Sequence, residues 1–377
     1  MIEEIKYSPV ESARFGMNVY RGNITDPNAK VIRNLIVKNA VDLMILRIPS
    51  TSKNKHYLLL EAGFDVIHAD TLVYYTCNLQ KAEIKQPVNS LDFVPISSEN
   101  AGVLQEMIPV IFEGYQNHYF SNPVLDENLI KQGYIEWASS YHEDAEGRIS
   151  WLVADQGECI GFATCSFDQD TREAEGVLYG VMPKAAGRGV YSDIIRFTQN
   201  YFKGKGYSTM VVSTQIQNIA VQKVWGRESF FINKSYDTYH LNSMLGLTQS
   251  SDFEESVYLT EEMVRQFAEY SGDWNPVHFS PEAGKAAGFN GRISHGMIPL
   301  SMMSKVFASQ FPGPGTLFLS NRNIFLSPFY PNQSYRFKYV QLKSDESGRI
   351  TVLVKIYNEA GVCCLVSYNQ LIRRVTS

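Results

Sequence analysis

Residues 241–257, LNSMLGLTQSSDFEESV, carry Ser, Thr, Gly and acidic residues between stretches that are periodic in apolar ones. A segment without an apolar period has no face to bury, so it reads as a linker, and a chain of 377 residues then folds around more than one core. Composition allows this, since 44% of the residues are apolar and 12% aromatic. A weaker boundary falls at IKQPVNSLDF, 84–93. The expected organisation is therefore 1–90, 91–243, a linker at 244–253, and 254–377. A net charge of −5 argues against a large basic surface for nucleic acid. Charges interrupt every apolar stretch before it could span a membrane, and the N-terminus, MIEEIKYSPVESARFG, is acidic and has no apolar core of a signal peptide. The five cysteines show no CxxC spacing, which points to a reducing compartment. The expectation is a cytoplasmic protein without membrane insertion.

Two stretches share their punctuation. LRIPSTSKNKHYLLLEAGFDVIHADTLVYYTCN (46–78) and VVSTQIQNIAVQKVWGRESFFINKSYDTYHLN (211–242) each read strand, polar turn, short helix, strand. Between them, ISWLVADQGECIGFATCSF reads as a hairpin about Gln156-Gly157, and EGVLYGVMP (175–183) as a further strand. KAAGRG follows, then a helix, VYSDIIRFTQNYFKGKG, with Val190, Ile194, Phe197 and Tyr201 on one face and glycines 204 and 206 at its end. Glycines between a strand and a helix let backbone N–H groups turn toward a phosphate. A bare GxG is more often a tight turn. Ser192 stands where a dinucleotide fold has its third glycine, and GKGYST lacks the ending of a nucleotide-phosphate loop.

The order strand, V-x-P-x-x-x-G-x-G, amphipathic helix, strand, Asn, helix resembles the GNAT superfamily of acyl-CoA-dependent N-acyltransferases, and most the branch that acylates nucleotide-linked amino sugars, such as dTDP-fucosamine acetyltransferase. The resemblance covers about residues 10–242, with the N-terminal stretch as a partial repeat. It implies that Gly187, Arg188 and Gly189 cradle the coenzyme A pyrophosphate, that the strand end at Val181 bonds the pantetheine or acyl portion, and that Asn218 contacts the coenzyme arm. Ala186 replaces the usual Gln or Arg. Trp225 replaces a Tyr that protonates the departing thiolate, so the general acid is unassigned. FEGYQNHYFSNP (112–123) offers His118 and Tyr119 as base or acceptor contacts, or as an aromatic turn on the core.

SGDWNPVH, 271–278, sets Asp273 and His278 either side of an Asn-Pro corner. LTEEMVRQFAEYSG before it is a helix capped by Thr260 and ended by Gly272. SPEAGKAAG after it starts with Ser280 and Pro281 and ends at Gly288. Pro276 stiffens the corner, and Asp273 and Asn275 could simply cap the next turn. Three further runs follow: RISHGM at 292–297, PGPGTLFLS at 312–320 and FLSPFYP at 325–331. Together they resemble the MaoC-like R-specific enoyl-CoA hydratases over about 254–377. That implies a hot-dog domain, an antiparallel sheet around the helix MIPLSMMSKVFASQF, paired in a homodimer. It makes Asp273 and His278 the catalytic pair and Gly296 the N–H donor to the thioester oxygen. Asn275 would orient the loop, and Ser301 and Ser304 line the acyl pocket. Pro299 suggests that HGM is loop and that the helix starts near the proline.

The fold expected is mixed α/β and α+β: a GNAT fold with an N-terminal partial repeat, then a hot-dog domain. The resemblances imply a bifunctional enzyme working on coenzyme A thioesters and no metal. It would hydrate a 2-enoyl-CoA, crotonyl-CoA above all, to the (R)-3-hydroxyacyl-CoA, and pass that acyl group to a dTDP- or UDP-linked amino-deoxy sugar. Two other readings compete: a hydratase with a degenerate GNAT module, and an acyl-CoA sensor. The intact Asp273 and His278 pair argues against the second.

Overall fold

The computed structural model describes residues 5–141, 146–246 and 251–373. Its contacts divide into two units, Met1–Met244 and Leu245–Ser377.

The first unit opens with β1 (Lys6–Tyr7), α1 (Pro9–Phe15), β2 (Val19–Asn23), α2 (Ala29–Lys38), β3 (Leu43–Pro49), α3 (Lys55–Leu60) and β4 (Asp65–Asn78). It continues through β5 (Asp92–Pro95), α4 (Ala101–Ile111), a 3₁₀ turn at His118–Ser121, α5 (Glu127–Ser139), β6 (Arg148–Asp155), β7 (Glu158–Asp168) and β8 (Glu173–Val181). It closes with α6 (Val190–Gly204), β9 (Thr209–Gln215), α7 (Ile219–Arg227) and β10 (Phe231–Asn242). All ten strands form one sheet, in the order β1-β2-β3-β10-β4-β9-β8-β7-β6-β5. The two stretches of like punctuation are both strand, helix, strand, and they interlock: β10 lies between β3 and β4, and β4 between β10 and β9. The 1–90 and 91–243 stretches thus share one sheet.

Gln156 and Gly157 both adopt positive φ, 52° and 83°, the mirror-image turn that matches strand twist, and so close the hairpin of β6 and β7. Helix α6 buries Ile194, Ile195, Thr198 and Phe202 more fully than Phe197 or Tyr201, so its inward stripe is rotated from the expected one. Each large apolar side chain so buried contributes about 1.5–3 kcal/mol.

The second unit holds β11 (Phe253–Leu259), α8 (Glu261–Ser271), α9 (Pro281–Ala286), α10 (Met297–Ser309), β12 (Thr316–Phe325), β13 (Gln333–Ser344), β14 (Arg349–Asn358) and β15 (Cys363–Arg373). Its strands form an antiparallel sheet, β11-β13-β14-β15-β12. Met303, Val306 and Phe307 of α10 pack with Phe337, Tyr339, Val352 and Val354 of that sheet. The linker is shorter than the sequence indicates, because Phe253–Val257 already pairs with β13. Of the expected linker 244–253, residues 247–250 lie outside the described ones.

The start of α10 also differs from expectation. The helix begins at Met297, with Pro299 inside its first turn. The first four N–H groups of a helix have no intrahelical acceptor, so a proline there forfeits no hydrogen bond. Among the described residues, no helix is long and apolar enough to cross a membrane.

Candidate active sites

In the second unit, Thr260 caps α8 by accepting from the Met263 N–H at 3.1 Å, and Gly272 ends it with φ +78°. The corner that follows is held by its own side chains. Asp273 Oδ1 accepts from the Asn275 N–H and Asn275 Oδ1 from the Val277 N–H, both at 3.2 Å. Pro276–His278 is a 3₁₀ turn, and Ser280 caps α9. Gly284 of α9 passes so near the Gly291 carbonyl that a Cβ would sit 2.0 Å from its oxygen. That close approach anchors the segment leading to Ile293.

The expected pair does meet. Asp273 Oδ2 lies 3.8 Å from His278 Nε2, with Asp273 half exposed and His278 9% exposed. His278 Nδ1 is 2.9 Å from the Ile293 carbonyl, which only accepts, so Nδ1 carries the proton and Nε2 presents a lone pair toward Asp273. At 3.8 Å the two groups do not hydrogen-bond directly, but one water about 2.8 Å from each would bond to both.

His295, the histidine of RISHGM, is the third member. Its ring lies 3.8 Å from that of His278, centroid to centroid. Its Nε2 donates to the Asp273 carbonyl at 2.9 Å, while its buried Nδ1 has no partner. The three residues offer ligand atoms within 4.8 Å of one another, a donor set that could also take a metal ion. Gly296 stands at the N-terminus of α10, where a Cβ would meet Phe325 at 2.9 Å. Ser301 and Ser304 are exposed on α10, and the Ser301 hydroxyl donates back to the Ile298 carbonyl at 2.7 Å. The narrow apolar gap beside this helix is lined by Val257, Leu259, Pro299, Met302 and Phe329 rather than by those serines.

In the first unit, β8 pairs with β9 only over Glu173–Gly176 and Thr209–Val212, although β8 continues to Val181 and β9 to Gln215. Beyond that point the two strands no longer pair, so that edge of β8 takes no ladder bonds from β9. Val181 lies at the end of β8, paired on the other side with Gly161. Gly187 and Gly189 take φ of +77° and +82°, and a Cβ on Gly187 would meet nothing within 4 Å, so the loop is an open cradle at the N-terminus of α6. Arg188 pairs with Asp155 at 2.6 Å, and its carbonyl accepts from Asn89 at 3.2 Å. Asp193, in the first turn, accepts from the Val88 and Asn89 backbone at 2.8 and 2.9 Å. Burial pushes its carboxyl up, but these bonds and Arg196 outweigh that and hold it below the ordinary carboxylate range. Asn218 donates to the Thr214 hydroxyl at 3.1 Å. Trp225 is buried with its ring 5.4 Å from that of Tyr75, so it fills core where a tyrosine acid would serve chemistry.

His118 and Tyr119 are held elsewhere. His118 Nδ1 meets His240 Nε2 at 2.8 Å, and the Tyr119 hydroxyl donates to Glu11. From the same stretch it is Tyr115 that reaches the parted strands, donating to Gln215 Oε1.

The comparisons agree with this division. Residues 111–230 match the acetyltransferase (GNAT) family, and residues 246–362 match the MaoC like domain. The chain therefore joins a GNAT acetyltransferase domain to a MaoC-like domain, in a mixed α/β architecture. Over 76 residues it is 40% identical to the mitochondrial 3-hydroxyacyl-[acyl-carrier-protein] dehydratase of Arabidopsis thaliana, covering 20% of this chain and 45% of that protein. Over 67 residues it is 34% identical to the (R)-specific enoyl-CoA hydratase of Aeromonas caviae, covering 18% of this chain and 50% of that one. The chain thus spans about half the length of these relatives. The unliganded R-hydratase structure from Pseudomonas aeruginosa is 25% identical, with a TM-score of 0.32, covering 34% of this chain and 83% of that one.

Proposed function

We propose that the MaoC-like unit hydrates a short 2-enoyl-CoA, crotonyl-CoA above all, to the (R)-3-hydroxyacyl-CoA. The observation that carries this reading is the spacing of Asp273 and His278, which fits one water between two proton-transfer groups. Hydration adds oxygen at C3 and a proton at C2. One group takes a proton from the water while the other delivers one to C2. Charge that builds on the thioester oxygen would be met by the Gly296 N–H at the start of α10, where the helix dipole also favours it. Asn275 and His295 hold the corner by their bonds to Val277 and to the Asp273 carbonyl. The reading uses no metal.

The GNAT unit, in this reading, binds the same coenzyme by the cradle of Gly187, Arg188 and Gly189 and by the free edge of β8 near Val181, with Asn218 beside its arm. It passes the acyl group to the amine of a dTDP- or UDP-linked amino-deoxy sugar. A second reading leaves this unit as a binding module, since Trp225 is core and Ala186 is not basic. Single-turnover acyl transfer to an amine separates the two readings. A homodimer of the MaoC-like unit is supported by the edge strand β12, where Leu317, Phe318 and Leu319 stand exposed. A light-scattering mass of one 42.7 kDa chain would overturn it.

The deciding experiment is hydration of crotonyl-CoA by the full chain, with chiral analysis of the product. Asp273→Asn and His278→Ala are each expected to lose about 10²–10⁴-fold in rate. Unchanged rates in both variants, or an S product, would sink the assignment.

A further inference from the structure

Strand β4 runs DVIHADTLVYYTCN, and one residue in it has no ordinary structural reason. Asp70 is 9% exposed, and neither carboxylate oxygen has a hydrogen-bond partner of normal geometry. A buried carboxylate left unpaired costs stability, so a fold keeps one where something else is to pair with it.

Its surroundings identify what that something is. Thr238 of β10 lies directly opposite Asp70, and Arg47 of β3 directly opposite Thr238, so the three side chains form one row on one face of the sheet. Two strand spacings separate Arg47 from Asp70, about 10 Å. The Thr238 hydroxyl and Arg47 Nε are likewise buried without a partner of normal geometry, and the end of the Arg47 side chain reaches the Tyr74 hydroxyl at 3.5 Å. Leu72, on the same face two residues along, pairs with Gln215 at the end of β9, and the Ile216 N–H bonds the Thr71 carbonyl at 2.8 Å. The row therefore begins where β9 ends, beside the parting of β8 and β9. Tyr115, bonded to Gln215, and Tyr134, with its ring 5.9 Å from that of Tyr115, stand close enough to feel the Asp70 charge. Burial lifts the Asp70 carboxyl above its ordinary range, with Thr238, Arg47 and Gln215 opposing in part.

We propose that Asp70 binds the primary ammonium group of the acyl acceptor and removes its proton, while Arg47 in the same row takes an anionic group carried by that acceptor. This rests on the acyltransferase reading above. An ammonium ion cannot attack a thioester, because its nitrogen has no lone pair. Paired with a carboxylate away from water, it passes a proton to Asp70, and both partners become neutral, which a low dielectric favours. The amine nitrogen then bonds to the thioester carbon, the C–S bond breaks, and the sulfur leaves as thiolate and takes the second amine proton. The products are the amide and free coenzyme A, and the proton on Asp70 returns to solvent. The acceptor class is thus a primary amine with an anionic group about 10 Å or less away, as in a nucleotide-linked amino sugar or an amino acid.

The test follows acyl transfer by the full chain from (R)-3-hydroxybutyryl-CoA and acetyl-CoA to three probes: a dTDP-linked 4-amino-4,6-dideoxyhexose, glycine and hydroxylamine. Hydroxylamine is already unprotonated at neutral pH and needs no base. Asp70→Asn is expected to lower kcat/KM about 10²–10⁴-fold for whichever ammonium acceptor the wild type uses, and to spare hydroxylamine. Arg47→Met should raise KM for the anionic acceptor with little change in kcat. Wild-type rates toward all probes in Asp70→Asn, or an equal loss toward all three, would overturn the inference and leave the acyltransferase standing. No transfer by the wild type to any probe would overturn both. Should Asp70→Asn not fold, the wild-type pH profile decides: with rates referred to the unprotonated hydroxylamine, an acid limb must appear with the ammonium acceptor and be absent with hydroxylamine, and one limb common to both refutes the role.

Discussion

His118 and His240 meet at 2.8 Å through Nδ1 and Nε2, so a single proton lies between them. The Asn122 amide donates to His240 Nδ1 at 3.1 Å, which leaves the proton on His240 Nε2 and makes His118 Nδ1 the acceptor. A further proton on either ring would set N–H against N–H. Burial adds to this, holding His118 well below the ordinary histidine range and pushing His240 down to about 3. The unfolded chain protonates both near pH 6.5, so between there and about 3 the unfolded state binds more protons than the folded one. Stability from this pair is complete above pH 6.5 and is lost as pH falls, at about 1.4 kcal/mol per pH unit for each histidine. Denaturant unfolding of the full chain from neutral pH to about pH 5 should show this, and His240→Gln should flatten it. A slope that His240→Gln leaves unchanged would show that the pair does not titrate on unfolding. The same occupied lone pair explains why His118, plausible as a base in the sequence, is poorly placed to act as one.

Among the elements, the junction of β8 and α6 is where the proposed function puts coenzyme binding. The positive φ of Gly187 and Gly189 turns the backbone toward the helix N-terminus, and Asn89 and Asp193 pin the loop from the 84–93 segment. That segment reads as a boundary because it is polar and carries Pro87, yet its backbone N–H groups are what Asp193 binds. An acidic side chain at Gly189 would meet a strained backbone and place like charge against a pyrophosphate. Gly189→Asp is expected to abolish amine acylation while leaving crotonyl-CoA hydration nearly intact. A parallel fall of both activities in a folded variant would mean that the two sites are not separate.

At the scale of the whole molecule, the proposed function gives both units the same thioesters, which invites a sequence of reactions. A pocket built to hydrogen-bond the new C3 hydroxyl leaves buried polar groups unpaired when the hydroxyl is missing, and can discriminate by up to about 10⁴-fold. We therefore expect kcat/KM for amine acylation to be highest with (R)-3-hydroxybutyryl-CoA, above acetyl- and crotonyl-CoA. With crotonyl-CoA in ¹⁸O-labelled water, the amide should carry the label at C3, and His278→Ala should stop amide formation from crotonyl-CoA alone. Equal values for the three thioesters, or a preference for acetyl-CoA, would leave two unrelated activities on one chain.

Local order was legible wherever the information is local. SGDWNPVH reads as a stiff corner because its caps and its proline act within a few residues, and the loop of Gly187 and Gly189 because glycine adopts that backbone without steric cost. Even the interlocked strands left a trace, in the shared punctuation of 46–78 and 211–242. Pairings across the sheet left none. Asp70 is one acid in an apolar strand until β10 and β3 lay Thr238 and Arg47 beside it, and Gly284 is an unremarkable helix residue until the Gly291 carbonyl closes on it. His295 is one residue of the RISHGM run until its ring stacks on His278. Turn and helix signals act over a few covalent bonds, so the chain states them in order. Which buried polar groups face one another depends on register between strands distant in sequence, and only the folded sheet sets that register.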